Sequence, residues 1–183
     1  MAGLKKYFGN KGSTPKDWEI YRGDEFQIRT TPENALWMAV QTKALIKCIK
    51  PLDVRMGIGI GNETFVGSRV SQSNGEAYQR SGMVFETLRE QKLNLAIVTG
   101  DKDRDRTLNL IVRLALDFMD NWSPVSAEIV SRTLDHPKDS QQQMADRLGI
   151  RQSAVSQRLN RARMDLVLDV LRYYDSLIKE IRI

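Results

Sequence analysis

Arginine, glutamine, serine and asparagine side chains crowd into one short stretch at helical spacing: Arg151, Gln152, Ser153, Ser156, Gln157, Arg158, Asn160, Arg161 and Arg163. The amides and hydroxyls both donate and accept hydrogen bonds, which suits the edges of DNA bases. The guanidinium groups suit phosphate oxygens, which fix position on a duplex without reading its sequence. Between Gln141 and Arg163 a single acid, Asp146, stands against five arginines. A second constellation, Arg22-Gly23-Asp24-Glu25-Phe26, sets two neighbouring carboxylates in a turn. Such a pair can hold a divalent metal for phosphoryl transfer, provided a neighbouring strand supplies another acid. Gly-Asp is equally favoured in a hairpin turn on backbone grounds, and Arg22 adds a bulky cation there. No catalytic residue is therefore assigned, and Arg22, Asp24 and Glu25 are kept only as candidates to line a ligand or partner surface.

The first constellation needs two helices and a tight corner to present it. Met144, Ala145 and Leu148 share one face of a first helix, and Val155, Leu159 and Ala162 share one face of a second. Gly149 between them supplies the positive φ of a sharp turn, Ile150 plugs the corner, and Ala145 is small where the helices approach. Ser140 and Gln143 form a capping box that opens the first helix. The order resembles a bacterial helix-turn-helix, whose second helix enters the major groove. A plain helical hairpin with solvated arginines would need neither the Gly-Ile corner nor a whole face of amides and hydroxyls.

With 183 residues the chain can hold one ordinary domain or two small ones, and a net charge of +5 is only mildly basic. A hydrophobic content of 41% is enough for a core. No apolar run is long enough to span a bilayer, and Lys5-Lys6 is not followed by an apolar stretch. Neither a membrane anchor nor a signal peptide is expected. Cys48 and His136 are each the sole residue of their type. A disulfide framework, a thiolate metal cluster and a histidine-based zinc site or catalytic triad are thus excluded, and a reducing cytoplasm fits. No cofactor is expected.

Taken in order, Leu4, Tyr7 and Phe8 close a short helix at Gly9. Trp18, Ile20, Phe26 and Ile28 alternate around Arg22-Gly23-Asp24 as a β-hairpin. Thr31-Pro32 opens a helix to about Ile49 with the stripe Ala35, Leu36, Ala39, Val40, Ala44, Leu45 and Cys48. Val54, Met56, Ile58 and Ile60 alternate with Arg55, Gly57, Gly59 and Gly61 as a strand. These glycines lie inside the strand, not after it, so a close-packing neighbour explains them better than a phosphate loop. Asn62 to Gln72 reads as a loop. Ser73 and Glu76 read as a capping box for a helix to about Lys92 that buries Ala77, Ser81, Val84, Phe85 and Leu88. Leu93 to Thr99 is an apolar strand, and Gly100 to Arg106 a charged linker. Helices follow at Leu108–Trp122, from Ser123-Pro124 to Leu134, and from Arg163 to the end. In the last, Val167, Leu171, Tyr174, Ile178 and Ile181 make a seven-residue repeat that predicts the seam of a homodimer. The alternative is that this stripe packs on Leu110, Leu114 and Phe118 of the same chain.

Trp18 to Gln27, Asp53 to Gly61, Ser73 to Gly82 and Asp120 to Val130 resemble the corresponding segments of the SatD family. The resemblance covers nearly the whole chain from Pro15 and implies a sensor-like N-terminal domain followed by a helix-turn-helix. That family usually opens with a strand carrying Thr-Gly-Asp, and nothing before Trp18 matches it. The hairpin with its following helix and strand is also similar, over a shorter span, to the palm of nucleotidyl cyclases.

The resulting expectation is an α+β chain: a palm-like domain over residues 1–103 with a small antiparallel or mixed sheet, then a helical domain over 104–183. The helix-turn-helix falls at residues 140–163. The expected function is that of a cytoplasmic transcription regulator that binds double-stranded DNA as a homodimer under an effector of unspecified chemistry. The competing expectation is a nucleotidyl-cyclase-like enzyme using the hairpin and a divalent metal.

Overall fold

A computed structural model describes residues 2–21 and 23–180, which leaves Met1, Arg22, Ile181, Arg182 and Ile183 outside the described part. The chain opens with helix α1 (Ala2–Gly9) and an antiparallel hairpin, β1 (Trp18–Tyr21) with β2 (Glu25–Ile28), in the register Trp18 to Ile28. Phe8 packs against Trp18 and Phe26 at ring-centroid distances of 5.7 and 5.5 Å, so one small aromatic core joins helix to hairpin. Helix α2 (Pro32–Lys47) follows, with Pro32 in its first turn as the sequence predicts. Strand β3 (Met56–Gly59) pairs in parallel with β6 (Leu95–Val98). Between them lie β4 (Glu63–Phe65), a 3₁₀ turn at Val70–Gln72, β5 (Asn74–Gly75) and α3 (Glu76–Gln91). The rest is helical: α4 (Lys102–Met119), α5 (Pro124–Asp135), α6 (Gln141–Leu148), α7 (Gln152–Ala162) and α8 (Met164–Ile178). The chain is α+β, with its strands in three separate two-stranded ladders, so the hairpin is not hydrogen-bonded to β3 as it would be in one continuous palm.

Met56, Ile58 and Ile60 face the main core, while Gly57 and Gly59 face α3. A Cβ on Gly59 would lie 2.1 Å from the Ala77 carbonyl oxygen, and one on Gly57 would lie 2.7 Å from that of Ser81. The alternating glycines are the price of laying a helix backbone directly on a strand, as their position inside the strand predicts. The other side of the two-stranded sheet is closed by α4. Asn109 accepts from the Ile97 N–H at 2.9 Å and donates to its carbonyl at 2.7 Å, while Asp105 accepts from the Thr99 N–H at 2.6 Å. These side chains stand where a further strand would hydrogen-bond.

Four local expectations are corrected. Ser73 and Glu76 do not form a capping box: Ser73 Oγ accepts from the Gly67 N–H and Glu76 from the Asn62 N–H, and Gly75 precedes the helix at φ 143°. The segment read as a loop at 62–72 contains β4 and the 3₁₀ turn. Phe85 is 45% exposed, not buried. The charges of Gly100–Arg106 are not a linker, because Asp101 caps α4 by accepting from the N–H groups of Asp103 and Arg104.

Helix α2 is buried along every side from Met38 to Ala44, including the polar Gln41, Thr42 and Lys43. Lys43 is fully buried and bridges Asp53 at 2.7 Å and Asp120 at 2.6 Å. Gln41 Nε2 donates to Ser131 Oγ at 3.0 Å and to Asp135 at 2.9 Å on α5. At the start of α2, the Tyr174 hydroxyl of α8 donates to the Pro32 carbonyl at 2.7 Å. One hydrophobic core runs without a break from Leu36 through Ile58 and Leu116 to Ile178. It crosses residues 103–104 with no gap.

The proposed dimer seam on α8 is also corrected. Val167, Leu171, Tyr174 and Ile178 are all buried inside their own chain, with α8 packed on α2 and α4. Leu110 and Leu114 are not their partners; they are 60% and 66% exposed on the far side of α4.

This packing sets the cost of three substitutions. Gly59→Ala, which drives a methyl into backbone, is expected to cost about 3 kcal/mol in urea unfolding, at the upper end for overpacking. Lys43→Ala is expected to cost a similar amount, about 3 kcal/mol, because two carboxylates lose their cation. Burial alone would raise the Asp53 carboxyl, but the hydrogen bond and charge of Lys43, the Val54 N–H and the charge of Lys47 together hold it below its ordinary value. A depressed carboxyl stabilises the fold fully above the unfolded pKa of about 3.9 and loses that contribution as pH falls through the lower folded value. The stability gap between the parent and Asp53→Asn should therefore be constant near neutrality and close in acid.

Candidate nucleic-acid interface

The corner between α6 and α7 is built as its residue types require. Ser140 Oγ accepts from the Gln143 N–H at 3.2 Å, and Gln143 Oε1 accepts from the Ser140 N–H at 2.8 Å, which completes the capping box. Gly149 ends α6 at φ 64°, and a Cβ there would meet nothing within 4 Å. Glycine is needed at this corner for its backbone angle, not for space. The Ile150 N–H then donates to the Ala145 carbonyl at 3.1 Å and closes the turn.

Helix α7 is fixed from behind. Val155 and Ala162 are fully buried, and Leu159 packs against the same core. At the far end the Trp122 indole donates to the Ala162 carbonyl at 3.0 Å, satisfying a helix-end acceptor in a buried position. Helix α5 lies across α7, so the three helices α5, α6 and α7 form one packed unit. Arg163, at φ 52°, turns the chain sharply from α7 into α8.

Facing away from that core, Ser153, Gln157 and Asn160 form an exposed ridge along α7 at steps of four and three. Ser156 flanks it half-buried. Gln152 is exposed, with its amide donating to Gln141 at the start of α6. The arginines divide into two groups. Arg147 pairs with Asp139 at 2.6 Å, Arg158 reaches Glu128 of α5 at 3.4 Å, and the Arg163 guanidinium lies 5.8 Å from the centre of the Phe118 ring. Arg151 and Arg161 are exposed and have no ion-pair partner among the described residues. The structure thus gathers Ser153, Gln157, Asn160, Arg151 and Arg161 on one outer surface, with Gln152 and Ser156 at its edge. It draws Arg158 and Arg163 back toward the supporting helices.

The residues that hold this surface in place, Trp122, Glu128 and Phe118, escape sequence reasoning because they lie on other helices. The one available signal was Trp122 at a helix end beside a Ser-Pro cap. In the N-terminal half, Asp24 and Glu25 are exposed at the hairpin turn, and Arg22 between the strands lies outside the described residues. Among the described residues no group of three or more His, Cys, Asp or Glu side chains is gathered to hold a metal. Cys48 is half-buried, and burial pushes its thiol up, which is opposite to what a nucleophile requires. No helix among the described residues is long and apolar enough to cross a membrane.

No curated protein and no solved structure matches the chain. The family model of the SatD family matches residues 4–177, from α1 to the last turn of α8. The Trp18 hairpin, the glycine-bearing β3 and the α5–α7 unit all fall within that span, and the chain belongs to the SatD family.

Proposed function

We propose that this SatD family chain is a cytoplasmic DNA-binding regulator of transcription that lays α7 in the major groove. The single observation that carries the reading is the outer surface of α7. Ser153, Gln157 and Asn160 project from a helix whose other side is locked into the core, between two unpaired arginines. Hydroxyl and amide groups on an exposed helix face match the donor and acceptor pattern of base edges, and a rigid support keeps them in register. Arg151 and Arg161, at the two ends of α7, are placed to meet phosphates on either side of a groove. The capped start of α6 adds a helix N-terminus that can face a further phosphate. Glu128 is set against this: it holds Arg158 by a long ion pair, so that arginine contributes less to the field over the groove.

Binding to genomic DNA fragments across a salt series tests the reading. Arg151→Ala and Arg161→Ala should weaken all sequences alike and lower the salt slope by about one each. Gln157→Ala or Asn160→Ala should instead change sequence preference, by about 1–3 kcal/mol for a good bidentate contact. Arg158→Ala should matter less than Arg161→Ala, and Glu128→Gln should strengthen binding by releasing Arg158. Absence of any salt-sensitive DNA binding would sink the proposal.

A further inference from the structure

The outer face of α4 carries a stripe that the monomer leaves unused. Arg106, Leu110, Leu114 and Asp117 follow one another at steps of four, four and three, so they line a single face of the helix. That face points away from the core residues Leu108, Val112, Ala115 and Met119 of the same helix. Leu110 and Leu114 are 60% and 66% exposed in the middle of a long helix, where an ordinary surface would place polar side chains. Arg106 and Asp117 are exposed and have no ion-pair partner among the described residues.

Helix α8 extends the patch. It runs antiparallel to α4: Arg163 at its start lies over Phe118, while Tyr173 and Leu177 share a groove with Thr107 and Asp103 near the start of α4. Tyr173 and Leu166, two turns apart on α8, are 43% and 39% exposed. Four large apolar side chains on two adjacent helices are more than scattered surface hydrophobics.

The order of charges selects the occupant. Along the middle of the face the order is Arg106, Leu110, Leu114, Asp117, with the exposed Asp103 one turn before it and the exposed Arg113 on its flank beside Leu114. When a second α4 is laid antiparallel across it by a two-fold axis between Leu110 and Leu114, each Leu110 meets the partner's Leu114. The same axis sets each Arg106 against the partner's Asp117. An isologous interface demands such self-complementarity, because the same patch must serve both sides. We infer that this face of α4, widened by Leu166 and Tyr173, is a two-fold interface between copies of this chain. The inference goes beyond DNA binding and does not depend on it, since the pairing is measured on protein alone.

Sedimentation and light scattering of the purified full chain, up to roughly 100 µM, give the test. The parent is expected to dimerise, and Leu110→Lys with Leu114→Lys is expected to be monomeric with an unchanged circular dichroism spectrum. Arg106→Asp alone and Asp117→Arg alone should each weaken the dimer about tenfold by setting like charges together. The double change Arg106→Asp with Asp117→Arg should restore it. The charge exchange involves only exposed side chains, so it carries the test even if the leucine variant misfolds. A monomeric parent, a dimer indifferent to these changes, or a double variant that fails to recover would overturn the inference. Capture of a different protein by a monomeric parent would do the same.

Discussion

The ammonium group of Lys43 is the constraint around which the molecule is arranged. It is fully buried and lies within 2.7 Å of Asp53 and 2.6 Å of Asp120. A lysine ammonium loses its hydration there, and two carboxylates take the place of the lost water. The three residues sit on α2, on the lead-in to β3 and at the end of α4. Asn94, just before β6, donates to Asp120 at 3.0 Å and joins the second strand to the same knot. Side-chain exposures of 28% and 32% for the two aspartates explain why the knot can be assembled: each acid keeps some water while the cation does not. Sheet, α2 and α4 are therefore fixed relative to one another by polar contacts as well as by the apolar core.

This places the helical half of the chain on the same frame as the strands. Gln41 clasps α5 at Ser131 and Asp135, and Tyr174 of α8 is tied to the start of α2. Because α5 is the helix that backs α7, the outer ridge of α7 is referenced through α5 to α2 and from there to β3. Packed side chains therefore run without a break from α2 through α5 to the inner side of α7.

The elements themselves were legible from local chemistry. Alternation marked the hairpin and β3, Gly149 marked the corner, and Ser140 with Gln143 marked the start of α6. That a neighbour packs closely on Gly57 and Gly59 was legible too, because glycine inside a strand has few other reasons, although nothing marked α3 as that neighbour. The failures share one cause, which is that polarity was taken as exposure. Gln41 and Lys43 stand outside the apolar stripe expected of α2, yet they are its contacts to α5, Asp53 and Asp120. Asp101 and Asp105 read as linker charges, yet one caps α4 and the other completes the edge of β6. Arg158 and Arg163 read as free cations, yet Glu128 and Phe118, distant in sequence, hold them. A polar side chain declares its partner only when the fold brings that partner near.

The same limit applies to apolar stripes, and α4 and α8 show it from opposite sides. Val167, Leu171, Tyr174 and Ile178 keep the seven-residue spacing of a coiled coil, and they spend it entirely on α2 and α4 of their own chain. Leu110 and Leu114 show no such long repeat, yet they stand in water. Periodicity fixes which face of a helix is apolar; it carries no information on whose surface will cover that face. What separates the two cases is the number of covering elements. Helix α8 is flanked by α2 on one side and α4 on the other, whereas α4 has its inner face on the core, one flank against β6 through Asn109 and the other against α8. Its outer face meets no other described element, and that is why Leu110 and Leu114 stay exposed although their own helix is apolar on its inner side.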